Sequence, residues 1–380
     1  MSSRIHEIDG LRAIAMTMVI AQHCGLLPFG WIGVWLFYGI SGFVITRGFL
    51  AEVDNRQSIG FRYGNFMLRR FFRIVPVYLL YIVINIGVLM VLNDLTHYRE
   101  LPYLATFTFN WHMIFGSETW SAFGHLWTLS IEEQFYVFFP LIALVAPKRT
   151  RVPITVCFII LGPIIRYFYS ESVASLRDDQ EWAAFSVYAS SICHFDAFLF
   201  GSLIARFEPQ LLKQPQVSNL AWIIAIISGV IYAVVFVGIN IGIGAYGINA
   251  FRNVISGILF GQHREVFLYS VINLFVSAVL IHTLLQRPLS RLLSSRVLVL
   301  IGSISYGGYL FHLLILWAVK QCLDSTVHEL AIVDRILVFV LVYGSTIGIS
   351  YLSFKAFEIP IANWGRSYLY SKPNSRIEAL

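Results

Sequence analysis

Two residues of the first apolar segment have side chains and a spacing that suit proton-transfer chemistry. Arg12 and His23 are eleven positions apart, which is almost three helical turns, so both would project from one face about 16 Å apart along the axis. A histidine has a reference pKa of about 6.5 and can take a proton from a hydroxyl group near neutral pH. Alternatively, His23 only ends the helix at the membrane interface and Arg12 extends its charged end to water.

A second polar run, FGHLWTLSIEEQFY, occupies positions 123–136 and contains two adjacent glutamates. On a helix their side chains point about 100° apart, so at most one of them can face His23. A carboxylate beside a histidine fixes the tautomer of the ring, and we predict that Glu132 has this role. Alternatively, Glu133 forms a capping box with Ser130 and only closes the helix start. The further polar residues of the run that could contact a substrate or stabilise the structure are His125 and Tyr136.

Three arginines lie directly before the third apolar segment. Arg69 and Arg73 are four residues apart, and Arg70 and Arg73 are three apart, so they share a helical face. Grouped guanidinium groups bind phosphates through paired hydrogen bonds, which indicates a phosphate site. Positive charge retained on the cytoplasmic side of a membrane is the competing explanation for arginines at this position.

Small residues and isolated charged residues complete the candidate set. The run GVWLFYGISGFVIT brings Gly39 and Ser41 to one segment, where small residues allow either close helix packing or a groove for a thin acyl or pantetheine chain. Asp196 and His312 lie inside later apolar segments, where an ionisable side chain is costly without a partner or a function. Each is either a buried polar contact between helices or part of a site.

The elements that position these residues are membrane-spanning helices. The 380 residues are 57% hydrophobic and only 13% charged, with a mean hydropathy of +0.72, which excludes a soluble protein. The net charge of +6 comes from short clusters between apolar segments, so membrane orientation explains it better than nucleic-acid binding does. The four cysteines, at positions 24, 157, 193 and 322, lack paired spacing and predict neither a disulfide framework nor a metal site.

The hydropathy pattern predicts an all-α polytopic membrane protein with about ten spanning helices. Polar residues and glycines interrupt positions 240–266, which we expect to form a loop or a re-entrant segment. Residues 1–366 are expected to form a single transmembrane domain and residues 367–380 a cytoplasmic tail. The predicted spans lie near 11–27, 31–50, 72–92, 130–146, 152–169, 185–205, 218–239, 267–286, 297–319 and 332–354.

The distribution of basic residues predicts the orientation of this path. One side collects 19 of the 27 lysines and arginines and the other side seven, with Arg12 inside the membrane. Because positive residues remain on the cytoplasmic side, both termini should be cytoplasmic. Trp111, Trp120 and Trp127 fall near the outer side, where they could stack on a sugar ring or form an aromatic belt at the membrane interface.

The order of these motifs resembles the membrane-bound acyltransferase 3 family, bacterial O-acyltransferases of surface polysaccharides and related acceptors. The resemblance extends from residue 5 to about residue 361. It rests on DGLRAIA followed by His23, on the glycine-rich run, on Arg70 and Arg73 before Ile-Val-Pro, on HLWTLSIEEQFY, and on GSISYGGYLFH with a later FEIP. His194 stands where the family pattern has an arginine, which affects any inference about acceptor preference. The extracytoplasmic SGNH-type domain that is fused to many relatives does not follow within these 380 residues.

The resemblance implies a multi-pass protein of the bacterial cytoplasmic membrane that transfers an acyl group, acetyl in most relatives, from cytoplasmic acyl-CoA. The acceptor would be a hydroxyl of an extracytoplasmic glycan: an O-antigen, an exopolysaccharide or a lipid-linked oligosaccharide. The arginines would hold the CoA phosphates and Arg12 would stabilise negative charge. His23, oriented by Glu132, would deprotonate the acceptor hydroxyl, although an acyl-histidine intermediate is an alternative. Acyl-CoA is a co-substrate in this scheme, and no metal or permanently bound cofactor is expected.

Two other classes of function fit parts of the pattern. In a polytopic transporter or flippase for a lipid-linked glycan, Arg12, Asp196 and His312 would form a charge relay across the membrane. A receptor-like sensor without chemistry is a further alternative. Neither class gives the arginine face and HLWTLSIEEQFY a shared purpose, and neither predicts release of free CoA from acyl-CoA. The FEIP segment, with Glu358, is expected to close the last helix.

Overall fold

The computed structural model describes residues 4–51, 58–93, 96–116, 123–251, 254–255, 261–285, 287–323, 326–327 and 329–370. Within these ranges the protein is helical and contains no strand, which confirms the predicted all-α polytopic class. Short 3₁₀ segments, not labelled here, precede α4, α6, α9 and α11. The α-helices are α1 (His6–His23), α2 (Ile32–Ala51), α3 (Ile59–Val91), α4 (Leu101–Ala105), α5 (Phe109–Phe115), α6 (Trp127–Val145), α7 (Arg151–Ala174), α8 (Gln180–Ala189), α9 (Phe195–Leu211), α10 (Val217–Gly242), α11 (Arg264–Leu285), α12 (Arg287–Leu293), α13 (Arg296–Ser303), α14 (Ser305–Lys320), α15 (Ile332–Ser353) and α16 (Ile359–Tyr370).

Seven helical segments among the described residues are long and apolar enough to cross a membrane, and α13 with α14 makes an eighth if this bent pair counts as one span. Two of the ten predicted spans are not in this set. Helix α1 carries three charged residues in 18 positions, and the predicted span 185–205 is divided between α8 and α9 by a 3₁₀ turn. The count of ten and the cytoplasmic termini therefore stay predictions.

The segment after α10, which we expected to form a loop or a re-entrant segment, contains little helix in its described part. Helix α10 ends at Gly242 and α11 begins at Arg264, with a 3₁₀ turn at Gly247–Phe251 between them. Part of this interval, including Arg252, lies outside the described residues. At the other end of the chain, α16 extends to Tyr370 and thus across the expected start of the tail at residue 367, while positions 371–380 are outside the described part.

Glycines let the backbones of α2 and α9 contact each other directly. A Cβ atom added at Gly42 would overlap the carbonyl of Phe198, and one at Gly201 would overlap the carbonyl of Gly39. Small residues at a helix interface let the backbones approach each other closely, and this favours association inside a bilayer. The glycine-rich face of α2 is therefore a packing surface in the structure.

The segment between α3 and α6 folds back along α3 instead of forming a simple outer loop. The hydroxyl of Tyr78 donates to the carbonyl of Leu104 in α4 over 3.0 Å, and Tyr78 lies about 20 Å before the end of α3 at 1.5 Å per residue. Helix α5 then runs beside α8, where Asn110 donates to the carbonyl of Ala189 over 3.0 Å. The start of α6, which carries the polar run, is thus enclosed by protein.

A sharp bend sets the position of the last polar helix. Helices α13 and α14 meet at an angle of 71° around Ile304, which is fully buried. Glycines also allow α13 to approach α1 closely, because a Cβ at Gly302 would overlap the carbonyl of Asp9. The bend brings α14, with Ser305 and His312, along the same face of α1 that carries Arg12 and His23.

Candidate active site

Two histidines from opposite ends of the chain form a hydrogen-bonded pair. Nδ1 of His23 at the end of α1 lies 2.9 Å from Nε2 of His312 in α14. Nδ1 of His312 lies 2.6 Å from the carbonyl oxygen of Tyr309. A carbonyl only accepts, so Nδ1 of His312 carries the proton, and Nε2 of the neutral ring is the acceptor.

This chain of bonds defines the tautomer of His23. Since Nε2 of His312 accepts, Nδ1 of His23 must donate, and the lone pair of neutral His23 then lies on its Nε2. His312 is fully buried, whereas His23 is partly exposed. The structure therefore presents a partly exposed imidazole in a fixed orientation, whose Nε2 has no hydrogen-bond partner among the described residues.

A third histidine packs against this pair. His125 is buried, and its ring centroid lies 5.3 Å from that of His312 in an edge-to-face arrangement. Its Nε2 donates to the carbonyl of Leu310 over 3.0 Å, and within the described part of the chain its Nδ1 has no hydrogen-bond partner. His125 therefore joins the start of α6 to α14 at the level of the histidine pair.

A cavity of about 480 Å³ opens beside α1. None of the three histidines is among its described lining residues, but Tyr309 lines it, and the ring centroid of Tyr309 lies 5.5 Å from that of His312. Six arginines line the cavity, namely Arg4, Arg12, Arg47, Arg70, Arg73 and Arg366. Hydroxyl and aromatic side chains line the remainder, among them Tyr38, Ser41, Thr128, Tyr136, Ser305, Tyr306 and Tyr309. This region is named the arginine cavity below.

Two of the six arginines are neutralised by carboxylates. Arg4 pairs with Asp9 at 2.6 Å, and Arg47 pairs with Glu208 at 2.9 Å. The other four have no carboxylate within ion-pair distance in the described ranges: Arg12, Arg70, Arg73 and Arg366.

The contacts of these four guanidinium groups leave their charge available. Arg12 donates to the hydroxyl of Ser305 over 3.2 Å. Arg70 lies over the ring of Tyr136, 5.0 Å from its centroid. Arg73 and Arg366 are exposed to the cavity. Four guanidinium groups without an ion pair among the described residues share this surface with the carboxyl groups of Glu132 and Glu358, and the excess of positive charge favours a ligand with several negative charges.

Glu132 lies in the wall of the arginine cavity, and the prediction that it orients His23 is wrong. Its carboxylate accepts hydrogen bonds from the hydroxyls of Ser41 and Tyr136. The nitrogen of His23 that a carboxylate would bind is occupied by His312. Glu132 is seven residues beyond His125 along α6, a distance of about 10 Å toward the arginines. Its position fits contact with a bound ligand and not with His23.

The capping box suggested for Ser130 and Glu133 is not formed. The hydroxyl of Ser130 donates to the carbonyl of Leu126 over 3.4 Å, and no side chain caps the start of α6. Glu133 does not line the arginine cavity. Glu358, which we expected only to close the last helix, does line it, on a π-helical turn at Phe354–Glu358.

Two of the residues expected to bind acyl-CoA are outside the cavity. The backbone of Gly39 is covered by α9 and α11, because a Cβ added there would lie 2.7 Å from Val276 and 3.3 Å from Leu280. Arg69 is exposed on α3 but does not line the cavity. Ser41, Arg70 and Arg73 do line it. The groove expected along α2 is thus limited to the face that carries Ser41.

Asp196 is a buried structural contact on a different side of the protein. It pairs with Arg166 of α7 at 2.8 Å, and both side chains are buried. Arg166 also donates to the carbonyls of Cys193 and Val266. This network joins α7, α9 and α11, and it also leaves Asp196 outside the contacts of Arg12 and His312. The charge relay of the transporter hypothesis is therefore not formed.

The remaining predicted positions have structural contacts. His194 donates from Nε2 to the carbonyls of Val187 and Tyr188, at 3.0 and 2.9 Å. Trp127 is buried against Tyr188 with ring centroids 4.8 Å apart, so it is not available to stack on a sugar. Trp111 donates to Gln134 over 3.2 Å, and Trp120 lies outside the described residues.

Sequence reasoning missed Tyr309 and Thr128, which line the arginine cavity. Tyr309 precedes His312 by three residues in GSISYGGYLFH, and this spacing places both side chains on one helical face. Thr128 follows His125 by three residues in a similar way. The spacing was thus present in the sequence, but a hydroxyl group has no distinctive sequence pattern.

Comparison with known sequences decides the family. The model of a family described as an acyltransferase domain matches residues 5–355, which is nearly the whole chain. The chain belongs to this acyltransferase family. The matched region contains α1 to α15 and therefore both the histidine pair and most of the arginine cavity.

The relatives of this acyltransferase-family chain are longer proteins. A protein of Staphylococcus aureus (strain COL), named as a candidate O-acetyltransferase, is 28% identical over 387 residues, which cover 96% of this chain and 59% of that protein. The peptidoglycan O-acetyltransferase OatA of Listeria monocytogenes is 28% identical over 376 residues, which cover 95% of this chain and 56% of that protein. The chain thus spans rather more than half the length of these relatives. No solved structure shows a significant match.

Proposed function

We propose that this protein transfers an acyl group, acetyl in the simplest case, from acyl-CoA to a hydroxyl of a polysaccharide on the opposite side of the membrane. One observation carries the proposal. A cavity lined by four arginines that have no ion pair among the described residues reaches Tyr309, whose ring packs against His312. The second ring nitrogen of the partly exposed His23, which is not used in the bond to His312, is available as a base.

The arginine cavity suits the phosphates of CoA. Coenzyme A carries a pyrophosphate and a 3′-phosphate, and guanidinium groups bind such oxygens through paired, charge-assisted hydrogen bonds. Arg70, Arg73 and Arg366 line the cavity, and all three belong to the more basic side of the predicted membrane path. Under the positive-inside rule this side is cytoplasmic, where acyl-CoA is made. The bacterial cytoplasmic membrane is accordingly the proposed location.

The distance from the arginines to His23 can be crossed by the donor itself. Arg12 and His23 are about 16 Å apart along α1 at 1.5 Å per residue. The pantetheine arm of acyl-CoA is extended and uncharged, so it can occupy the apolar and hydroxyl-lined part of the cavity. Its thioester would then lie near Thr128 and Tyr309, next to the histidines.

His23 is the proposed general base. Nε2 of His23 takes the proton of the acceptor hydroxyl while the hydroxyl oxygen attacks the thioester carbonyl. His312 keeps the required tautomer and stabilises the protonated ring by accepting from Nδ1. Direct attack of Nε2 on the thioester would instead give an acyl-histidine. Trapping of a labelled acyl-enzyme without acceptor distinguishes the second route from the first.

The acceptor is proposed to be a cell-surface polysaccharide. The names of the relatives include peptidoglycan O-acetyltransferase, and the resemblance seen in the sequence extends to enzymes of O-antigens and exopolysaccharides. Acceptor tests therefore use two fractions, soluble peptidoglycan strands and the host's extracted surface polysaccharide. These two fractions are called the acceptor panel below.

The test uses purified protein in lipid nanodiscs with acetyl-CoA labelled in the acetyl group. Wild-type protein should release CoA and place acid-stable, alkali-labile label on one member of the acceptor panel. His23→Gln should reduce the transfer by about 10²-fold or more, because general-base catalysis contributes roughly that factor. Binding of CoA should persist in the variant. The proposal would be contradicted if wild-type protein gave no CoA release and no labelling, both with acetyl-CoA and with longer acyl-CoA.

A further inference from the structure

Two hydroxyl side chains, those of Thr128 in α6 and Tyr309 in α14, line the arginine cavity next to the histidines. The ring centroid of Tyr309 lies 5.5 Å from that of His312 and 5.5 Å from that of His125. The cavity and the histidine pair therefore meet at Tyr309. An acyl group that enters through the cavity and reacts at His23 must pass the hydroxyl of this residue.

The two hydroxyls share a small hydrogen-bond network. Their oxygens are 2.6 Å apart, and both lie close to the carbonyl of His125, at 2.9 Å for Thr128 and 3.2 Å for Tyr309. If Thr128 donates to that carbonyl, the Tyr309 proton is directed at the Thr128 oxygen. If Tyr309 then turns its proton to another acceptor, the bond from the Thr128 hydroxyl to the carbonyl of His125 is kept.

We propose that the hydroxyl of Tyr309 donates a hydrogen bond to the carbonyl oxygen of the acyl thioester and stabilises the oxyanion that forms there. This inference rests on the proposed function and adds a catalytic residue to it. A preorganised donor in a buried, water-poor site is most effective when it points to the place where negative charge develops. Thr128 donates to the carbonyl of His125 and keeps the phenol oxygen in place, and the phenol turns its one proton from this network to the thioester oxygen.

The acyl transfer passes through an intermediate in which the acceptor oxygen is bonded to the thioester carbon. The acceptor O–H gives its proton to Nε2 of His23, and the oxygen forms a bond to the thioester carbon. The carbonyl π electrons move to oxygen, where Tyr309 donates. Collapse of this intermediate restores the C=O bond and breaks the C–S bond, and the leaving thiolate takes the proton from His23. The products are the O-acyl sugar and CoA, with both residues returned to their starting states.

Tyr309 differs from the other tyrosines of the cavity in its contacts with the histidines. Its ring centroid lies 5.5 Å from those of His125 and His312, whereas among the described residues Tyr38 and Tyr306 have no such ring contact. Tyr232 of α10 is as buried as Tyr309, its hydroxyl donates to the carbonyl of Val254 over 2.9 Å, and it does not line the cavity. Tyr232 therefore serves as a matched control.

The experiment compares Tyr309→Phe with Tyr232→Phe in nanodiscs. Steady-state rates are measured with acetyl-CoA and the acceptor panel, and binding is measured with a thioether analogue of acetyl-CoA that cannot transfer its acyl group. Phenylalanine keeps the ring and also the backbone carbonyl that holds His312. We expect Tyr309→Phe to lower kcat by about 10²- to 10³-fold, with KM and analogue binding within about threefold of wild type. Tyr232→Phe should leave kcat within about threefold.

The results separate this inference from the proposed function. Active wild type with a Tyr309→Phe kcat equal to that of Tyr232→Phe would overturn the role of Tyr309 and leave the acyl transfer intact. An inactive wild type would reject both. If Tyr309→Phe fails to bind the analogue, Thr128→Val decides the matter. That variant retains the Tyr309 hydroxyl but removes the group that orients it, so a lower kcat with unchanged analogue binding supports the inference, and a kcat equal to that of wild type contradicts it.

Discussion

Nδ1 of His23 and Nε2 of His312 lie 2.9 Å apart, although 289 residues separate them in the chain. The bond from His312 to the carbonyl of Tyr309 sets the direction of this contact. It leaves Nε2 of His23 as the basic nitrogen. A neutral ring orients the base here, where a carboxylate does so in many hydrolases.

The first prediction concerns this contact. In His312→Gln the side-chain amide oxygen can accept from Nδ1 of His23, whereas in His312→Leu no acceptor remains. We expect His312→Leu to lower kcat by about 10²-fold or more and His312→Gln to retain an intermediate rate, with the KM for acyl-CoA unchanged in both. Equal rates for the two variants would show that the tautomer of His23 does not depend on His312.

The second prediction concerns the arginine cavity and uses two arginines of the same helix. Arg73 faces the cavity and Arg69 does not. Loss of a hydrogen bond to a charged group costs about 1.5–3 kcal/mol, so Arg73→Gln should weaken CoA binding by roughly tenfold to a hundredfold. Arg69→Gln has the same charge change and should bind CoA within about threefold of wild type. Isothermal titration with CoA in nanodiscs measures both, and equal weakening by the two variants would indicate only a general charge effect.

The sequence could predict the spacing within each helix but not the offset between helices. His23 and Arg12 share a face because α1 is continuous, and Arg70 and Arg73 reach the cavity as their spacing indicated. Glu132 was predicted beside His23 because α6 enters from the same side. The packing of α6 places it about two turns deeper than His125, beside Ser41 and Tyr136.

The sequence also does not predict which face of a helix packs against its neighbour. Gly39 and Ser41 are two residues apart, yet α9 covers the first and the cavity exposes the second. Nothing in the run GVWLFYGISGFVIT specifies which face meets α9, because the partner glycine, Gly201, lies about 160 residues later. His312 was assigned to a helix correctly, but its contact with His23 depends on the bend between α13 and α14.

The third prediction tests the packing of α2 on α9. Gly42→Ala adds a methyl group that overlaps the carbonyl of Phe198, and overpacking of this kind typically costs about 1–3 kcal/mol. Gly48→Ala, on the same helix, meets no atom within 4 Å. Thermal unfolding in detergent should show a lower Tm for Gly42→Ala and a Tm near wild type for Gly48→Ala. Similar Tm values for the two variants would contradict the close approach.

The fourth prediction concerns the buried pair of Arg166 and Asp196. Removal of one member leaves an uncompensated buried charge, which typically costs about 3–5 kcal/mol. Asp196→Ala should therefore lower the Tm strongly, whereas the double variant Arg166→Met with Asp196→Leu should recover most of the loss. Acyl transfer per folded molecule should be near wild type in the double variant. A selective loss of kcat at normal stability would instead place Asp196 in the reaction.

The central claim is that acyl donor and acceptor meet from opposite sides of the membrane at His23. Proteoliposomes of uniform orientation test it directly, with labelled acetyl-CoA added only on the side of the arginine cavity and the acceptor panel only on the other side. The account predicts label on the enclosed acceptor with wild-type protein and at least about a hundredfold less with His23→Gln. Labelling that occurs only when donor and acceptor share one side, or that is equal in the two proteins, would contradict it.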